Sequence, residues 1–279
     1  MFIFDFFANL FGYALNLIYN LVQNYGIAII LFSIFLKIIL LPLSIKQQES
    51  MKKNQKIQGK VKEVQAKYKD NPEQLNKETM KLYKEENMSP FSGCLSSIVQ
   101  IIILLSMFYL VRSPLTYMKK IDPGIIQSYQ DEIKAELPEG TKESMYKEIE
   151  VIRIDGPKDD TVNINMNFLG LDLSLVPWTS LSNPTVYIIP VLYVISSFGS
   201  IHFTMRMQQK MREGTGESKE MDAMMNMNKS MMWFMPIMSV SISMIAPLGL
   251  ALYWLINNIM MIAERIFLDK FIFKNKEEM

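Results

Sequence analysis

Four stretches of this chain carry no charged side chain: Phe6–Leu36, Asn87–Val111, Leu173–Met205 and Ser230–Ala263. A helix that crosses a bilayer needs about 20 consecutive, mostly apolar residues, and each run supplies that length or more. Such runs could not all be buried inside a soluble domain of 279 residues in which only 20% of side chains are charged. The expected class is an all-α polytopic membrane protein.

The same sequence removes several functions. A formal net charge of +1 leaves no electrostatic footprint for nucleic acid, so no specific nucleic-acid sequence is expected as a partner. Cys94 is the only cysteine, which excludes an internal disulfide and a cysteine-based zinc or iron–sulfur site. His202 is the only histidine, so an HExxH metal pair cannot be built. There is no GxxxxGK[ST] and no GxSxG, hence neither a phosphate-cradling loop nor a serine nucleophile elbow. No cofactor, no metal and no catalytic residue is expected.

Along the chain, residues 1–24 place Asp5, Asn9, Gly12, Asn16, Asn20 and Gln23 within an arc of roughly 80° at helical spacing, with Phe7, Leu10, Phe11, Leu15, Ile18 and Val22 elsewhere. This reads as an amphipathic helix lying in the membrane interface. Residues 25–45 form the first span, broken late by Pro42. Residues 46–89 hold eleven lysines against seven acids. There Ile57, Val61, Val64 and Tyr68 make one helical seam, and Leu75, Thr79 and Leu82 a weaker one. Between the seams, Asn71-Pro72-Glu73 is a helix-start signal. A cytoplasmic helical hairpin with a thin apolar face is expected.

Residues 90–112 form the second span and 113–175 an extracytoplasmic α+β insertion. Within it Ile125 to Leu137 suits a short helix ended by Pro138 and Gly140. Val162, Ile164, Met166 and Phe168 alternate with three asparagines as in a strand, with Ile149–Ile154 as its pairing strand. The third span is residues 185–204, followed by a methionine-rich cytoplasmic loop, 205–230. The run from Ser230 to Ala263 would be about 51 Å as one helix, too long for one crossing. Pro247-Leu248-Gly249 divides it into spans 231–246 and 248–267, both of which must be short; residues 268–279 are a cytoplasmic tail. Five spans result. Lysine and arginine concentrate in the hairpin and after span three, while the insertion has twelve acids against seven bases. The positive-inside rule therefore puts the N-terminus outside and the C-terminus in the cytoplasm.

Within this plan Lys37 is the most informative residue. A charge near the bilayer centre costs about 2.5–3.5 kcal/mol on insertion scales, so it faces protein or water and marks function. Ser33, one turn earlier, and Gln100 and Ser106 could add polar lining, or each could serve as an interhelical hydrogen bond. Trp254 reads equally as a groove residue or a packing aromatic. Eleven of the 23 methionines lie between Met205 and Met238. Met221, Met224, Met225 and Met227, in a polar loop, read as an adaptable apolar contact surface for substrate or partner, and those after Ser230 as span core. Read from the residues alone, a small transporter or channel with Lys37 as counter-charge for an anion stands beside a membrane chaperone; the absence of an internal repeat speaks against the transporter.

The order of parts, with Ser89-Pro90-Phe91-Ser92-Gly93-Cys94-Leu95 entering span two ahead of Gln100, Asn167-Phe168-Leu169-Gly170-Leu171-Asp172-Leu173 before span three, and Pro247-Leu248-Gly249-Leu250-Ala251-Leu252-Tyr253-Trp254 in span five, resembles the YidC-type membrane protein insertases of the Oxa/Alb superfamily. The resemblance covers nearly the whole chain outside Ser113–Asn165. It implies five transmembrane helices around a hydrophilic groove open to the cytoplasm and to lipid, without nucleotide or metal, in the bacterial plasma membrane. Its implied partners are nascent membrane-protein substrates and the lipid bilayer, with the ribosome and the Sec translocon as further candidates. The family's groove cation is usually arginine, and the matching position here is Lys37, which keeps the charge and loses the planar fork of donors. The large extracytoplasmic domain of some members and the lipobox cysteine of the short bacterial type have no counterpart in these residues.

Overall fold

A computed structural model describes residues 2–69, 71–86, 92–138, 144–210, 238, 240–268 and 270. Half of span four, most of the methionine-rich loop with Met221, Met224, Met225 and Met227, and most of the tail lie outside the described residues. The chain forms two compact units, residues 1–36 with 104–279, and residues 37–103.

In the first unit, α1 (Phe2–Val22) buries Ala8, Phe11, Gly12, Leu15 and Tyr19, spaced three and four apart on one stripe. The opposite flank leaves Phe2, Phe6, Leu10, Tyr13, Leu17 and Leu21 exposed. The buried stripe packs on a π-helical turn, Leu115–Lys119. Gly12 permits this approach, since a Cβ there would lie 1.9 Å from the Tyr117 carbonyl oxygen. The polar edge of α1 is used as well. Asp5 accepts a hydrogen bond from the Tyr117 hydroxyl at 2.7 Å, and Asn9 Oδ1 accepts one from Lys120 at 2.5 Å. Residues 2–22 are by length and composition also sufficient for a membrane crossing.

The longer elements of the insertion are helices. α5 (Pro123–Glu136) opens on Asp122, whose side chain accepts from the Gly124 N–H. Residues expected as a pairing strand instead form α6 (Lys147–Ile154), which buries Ile149, Val151 and Ile152 and, unusually, Glu148. Apolar residues three apart can serve a helix, and here the turn-by-turn burial of Ile149 and Ile152 outweighs their strand propensity. The alternation at residues 162–166 is real as burial: Val162, Ile164 and Met166 are buried and Asn163 and Asn165 exposed. No long strand forms, however. The extended backbone is satisfied by helices, with the Asn165 N–H donating to the Tyr19 hydroxyl at 2.8 Å and its carbonyl accepting from the Tyr25 N–H at 3.0 Å. Among the described residues, regular pairing is confined to β1 (Asn167–Phe168) and β2 (Leu171–Asp172), an antiparallel hairpin.

From the hairpin the chain passes through 3-10 turns at Pro177–Thr179 and Pro184–Tyr187 into α7 (Ile188–Lys210). α8 (Leu248–Phe267) is another helix of this unit long and apolar enough to cross a membrane. It does not stop at the end of the uncharged run but continues through Glu264 and Arg265 to reach 20 residues, about 30 Å.

The second unit carries most of α2 (Tyr25–Lys67), 43 residues in one helix. The expected break at Pro42 does not occur. Proline costs one intrahelical hydrogen bond, and here the helix runs on through it, so the span and the first hairpin arm are one continuous helix of 43 residues. The return arm, α3 (Pro72–Glu85), starts where Asn71 Oδ1 accepts from the Gln74 N–H at 3.1 Å. Ile57 is buried and Val61, Val64, Tyr68, Leu75, Thr79 and Leu82 are half-buried, which makes the two seams visible as thin stripes. α4 (Ser92–Arg112) runs from this unit into the first.

Candidate functional site

The candidates divide between the units, Lys37 and Gln100 in the second, Ser33, Ser106 and Trp254 in the first. Lys37 is half-buried within the apolar window of α2, a 26-residue stretch from Tyr25 to Ser50 apolar enough to cross a membrane. Ile38 and Ile39 beside it are exposed, as lipid-facing side chains of a span would be. Gln100 is exposed on α4.

Ser33 is buried, and its hydroxyl donates to the Ile29 carbonyl at 2.7 Å, one turn back in its own helix. That bond satisfies the hydroxyl locally. Ser106 behaves differently: its Oγ is fully buried and has no hydrogen-bond partner among the described residues. The same holds for the Trp254 indole N–H, although its ring packs on Tyr193 with centroids 6.2 Å apart. Trp254 is thus a packing aromatic by its ring and an unsatisfied donor by its nitrogen. The Tyr25 hydroxyl is a third buried group of this kind. A buried donor or acceptor left unpaired costs about 1–3 kcal/mol, so native proteins satisfy such atoms with water or a bound polar group.

The packing of α7 on α8 fixes where Trp254 points. Tyr193 meets Trp254, Ser197 accepts from Asn258 Nδ2 at 3.1 Å, and Thr204 accepts from Arg265. Each pair is 61 residues apart, so the two helices run parallel in constant register. The steps 197 to 204 and 258 to 265 are heptads, the geometry of a left-handed seam. Small residues, Ser196, Ser197 and Ser200, let the backbones approach. Asn258 also donates to Ser196 Oγ at 3.1 Å. Sequence reasoning passed over Asn258, yet Asn257-Asn258 is the one amide pair in the last uncharged run, and a polar residue in such a run is itself a signal.

In the insertion, Glu148 accepts from the Thr116 N–H at 3.0 Å and the Thr116 hydroxyl at 2.7 Å. It ties α6 to the π-helical turn on which α1 rests. Burial pushes its carboxyl above the usual carboxylate range, against the pull of the Thr116 donors. Tyr129 donates to Asp159, which holds that half-buried carboxyl below its usual range.

Sequence comparison places this architecture among known proteins. The family described as 60Kd inner membrane protein matches residues 17–276. A Fusobacterium nucleatum protein named membrane protein insertase YidC is 32% identical over 260 residues, covering 93% of each chain. A Treponema denticola protein of the same name is 27% identical over 259 residues, 92% of this chain and 36% of that one. A Caldanaerobacter subterraneus relative, again so named, is 46% identical over 102 residues, 37% of this chain and 50% of its own length. The chain therefore spans about a third of the Treponema relative and nearly all of the Fusobacterium one. With its apolar helices it is an all-α, multi-pass membrane protein, and it belongs to the 60Kd inner membrane protein family, the YidC-type group its motifs resemble.

Proposed function

We propose that this chain is a membrane protein insertase and chaperone, moving transmembrane segments of other proteins from the cytoplasmic side into the bilayer without making or breaking covalent bonds. The observation that supports it best is the set of buried polar atoms inside apolar helices, Ser106 Oγ and Trp254 Nε1, unpartnered among the described residues. In hydrocarbon such atoms are costly, and a hydrated path for polar substrate groups supplies what they lack. Family membership carries the same reading.

Five crossings, an outside N-terminus and a cytoplasmic C-terminus complete the proposal. The lysine-rich hairpin receives substrate, with Met221, Met224, Met225 and Met227 as an adaptable apolar contact. Its basic surface suits ribosomal RNA, anionic lipid or acidic substrate loops, and the ribosome and Sec translocon are the partners it would meet.

Lys37 supplies the electrostatic part. A substrate with a short acidic outer segment faces its main barrier in dragging the carboxylate through hydrocarbon, about 2.5–3.5 kcal/mol per acid. A cation at about 4 Å offers roughly 4 kcal/mol of attraction at an effective dielectric of 20. Lys37→Ala should slow insertion of acidic-tailed substrates about tenfold, as for a net loss near 1.4 kcal/mol, and spare neutral-tailed ones. Lys37→Arg should be active. Proteoliposome insertion assays with the two substrate types decide it; equal rates for wild type and Lys37→Ala on the acidic substrate would remove the cation from the mechanism.

A further inference from the structure

The hairpin β1–β2 turns through Leu169 and Gly170, with φ of +51° and +81°. Two consecutive left-handed residues define the tight turn that asparagine, aspartate and glycine favour, because a larger side chain is strained there. Gly170 meets that demand and Leu169 does not. Leu169 is also 87% exposed, so the turn carries backbone strain and an uncovered apolar side chain at the same residue. Neither is explained by packing among the described residues.

The position of the hairpin supplies an explanation. Asn24 Nδ2 donates to the Asn167 carbonyl at 2.7 Å and the Tyr25 N–H to the Asn165 carbonyl at 3.0 Å, which pins the hairpin to the start of α2. The Leu248 and Gly249 N–H groups donate to the Leu175 and Leu173 carbonyls at 2.9 and 3.0 Å, which pins its exit to the start of α8. Both helices are long and apolar enough to cross a membrane, so the hairpin is held at the entry ends of two candidate crossings. Trp178 and Leu181, 65% and 61% exposed, come just before the crossing helix that starts at Pro184. Tryptophan concentrates at that level of a bilayer, where its ring is half in and half out of the apolar phase.

We infer that the Leu169 tip is a lipid anchor, inserted into the hydrocarbon boundary of the leaflet from which α2, α7 and α8 descend, with Trp178 in the interfacial belt beside it. The occupant is lipid because the tip is hydrogen-bonded through its flanking residues to the first turns of two helices able to cross a membrane, and no charged side chain stands in the Asn163–Leu171 segment. The anchor sets the depth of the insertion against the bilayer. It depends on the chain being a membrane protein and not on the insertase reading.

The test uses full-length protein with Cys94→Ser, reconstituted in phosphatidylcholine–phosphatidylglycerol liposomes. A nitroxide is placed at Leu169→Cys and, as the aqueous control, at Lys158→Cys. Collision with oxygen should exceed collision with a water-soluble nickel chelate severalfold at 169 and not at 158. Equal nickel access at the two sites would overturn the anchor, and so would a label shielded from both reagents, which would mean that protein covers the tip. Leu169→Asn separates anchoring from folding, since Asn-Gly is a favoured pair for this turn. Its thermal midpoint in detergent should be no lower than that of the parent, and a clear loss would show that Leu169 serves packing instead.

Discussion

The two compact units put their polar side chains to opposite uses. In residues 1–36 and 104–279, polar groups far apart in sequence meet in buried or half-buried contacts: Asp5 with Tyr117, Asn165 with Tyr19, Thr116 with Glu148 and Asn258 with two serines. In residues 37–103 the contact across the hairpin is Lys60 with Glu86 at 2.5 Å, the lysine side chain 60% exposed, and α3 buries no residue. Where water is excluded, each polar group needs a fixed partner, and the partners become joints between elements. Where charges remain solvated, a contact is worth little, and the stripe centred on Ile57 is left to hold the arms together. The first unit is built to hold a shape and the second to give way.

The contrast breaks most visibly if a joint of the first unit is forced open. Gly12→Val places a Cβ within 1.9 Å of the Tyr117 carbonyl oxygen, against backbone that cannot rotate away. α1 must lift from the π-helical turn, taking the Asp5–Tyr117 and Asn9–Lys120 bonds with it. The expected loss is about 3 kcal/mol, at the upper end for overpacking. A thermal midpoint in detergent unchanged from wild type would mean that α1 is not held by this contact.

Glu148 comes next. Removing it in Glu148→Ala leaves the Thr116 N–H without its acceptor and should cost about 2 kcal/mol. Its folded-state pKa is raised by burial, so the protonated side chain is the one that folding favours. The stabilising contribution is therefore fully present below the unfolded pKa, near 4.3, and is lost as pH rises through the higher folded value. Compared with Glu148→Gln, which cannot titrate, wild type should gain stability as pH falls from neutral toward that range. A pH-independent difference between the two would place the carboxylate in water.

Much of this division was legible in the residues. The lysine count and thin seams of 46–89 foretold weak packing, and Asn71-Pro72 marked the start of α3. The period-two burial of Val162, Ile164 and Met166 was legible too, but its meaning was not. Alternation reports an extended chain with one buried face, and whether a ladder forms depends on partners distant in sequence, here Tyr19 and Tyr25. α6 was misjudged because eight residues are too few for periodicity to separate helix from strand. Among site candidates, Ser33 and Ser106 look alike in sequence; one donates to its own helix and the other finds no partner among the described residues.

Asn258 sharpens the comparison at the membrane seam. Replacing it by alanine removes the donor to Ser196 and Ser197 but leaves the heptad packing of α7 on α8. Hydrogen bonds between membrane helices average about 0.6 kcal/mol in double-mutant cycles, and two shared serines put the expected loss near 1 kcal/mol. A combined Asn258→Ala and Ser197→Ala protein should lose little more than the single variants. Fully additive losses would show that the amide and the serine act separately.

The smallest effect is expected in the hairpin, and its smallness is the point. Lys60 makes the ion pair to Glu86, with Glu85 and Glu63 also acting on it, and the network raises the lysine's pKa. Because the ammonium remains in solvent, water and salt compensate for its loss. Lys60→Ala should leave the thermal midpoint of the whole protein unchanged within error. Hydrogen exchange then supplies the positive test. Amides of α3 should exchange through local opening, well before those of α7 and α8, since little apolar area is buried to resist it. Raising salt to 1 M, where screening reaches about 3 Å, should speed α3 exchange slightly and leave α7 and α8 untouched. If α3 proved as protected as α8, or Lys60→Ala lowered the global midpoint, the hairpin would be a structural element like the rest, and its proposed role in receiving substrate by yielding would fail with it.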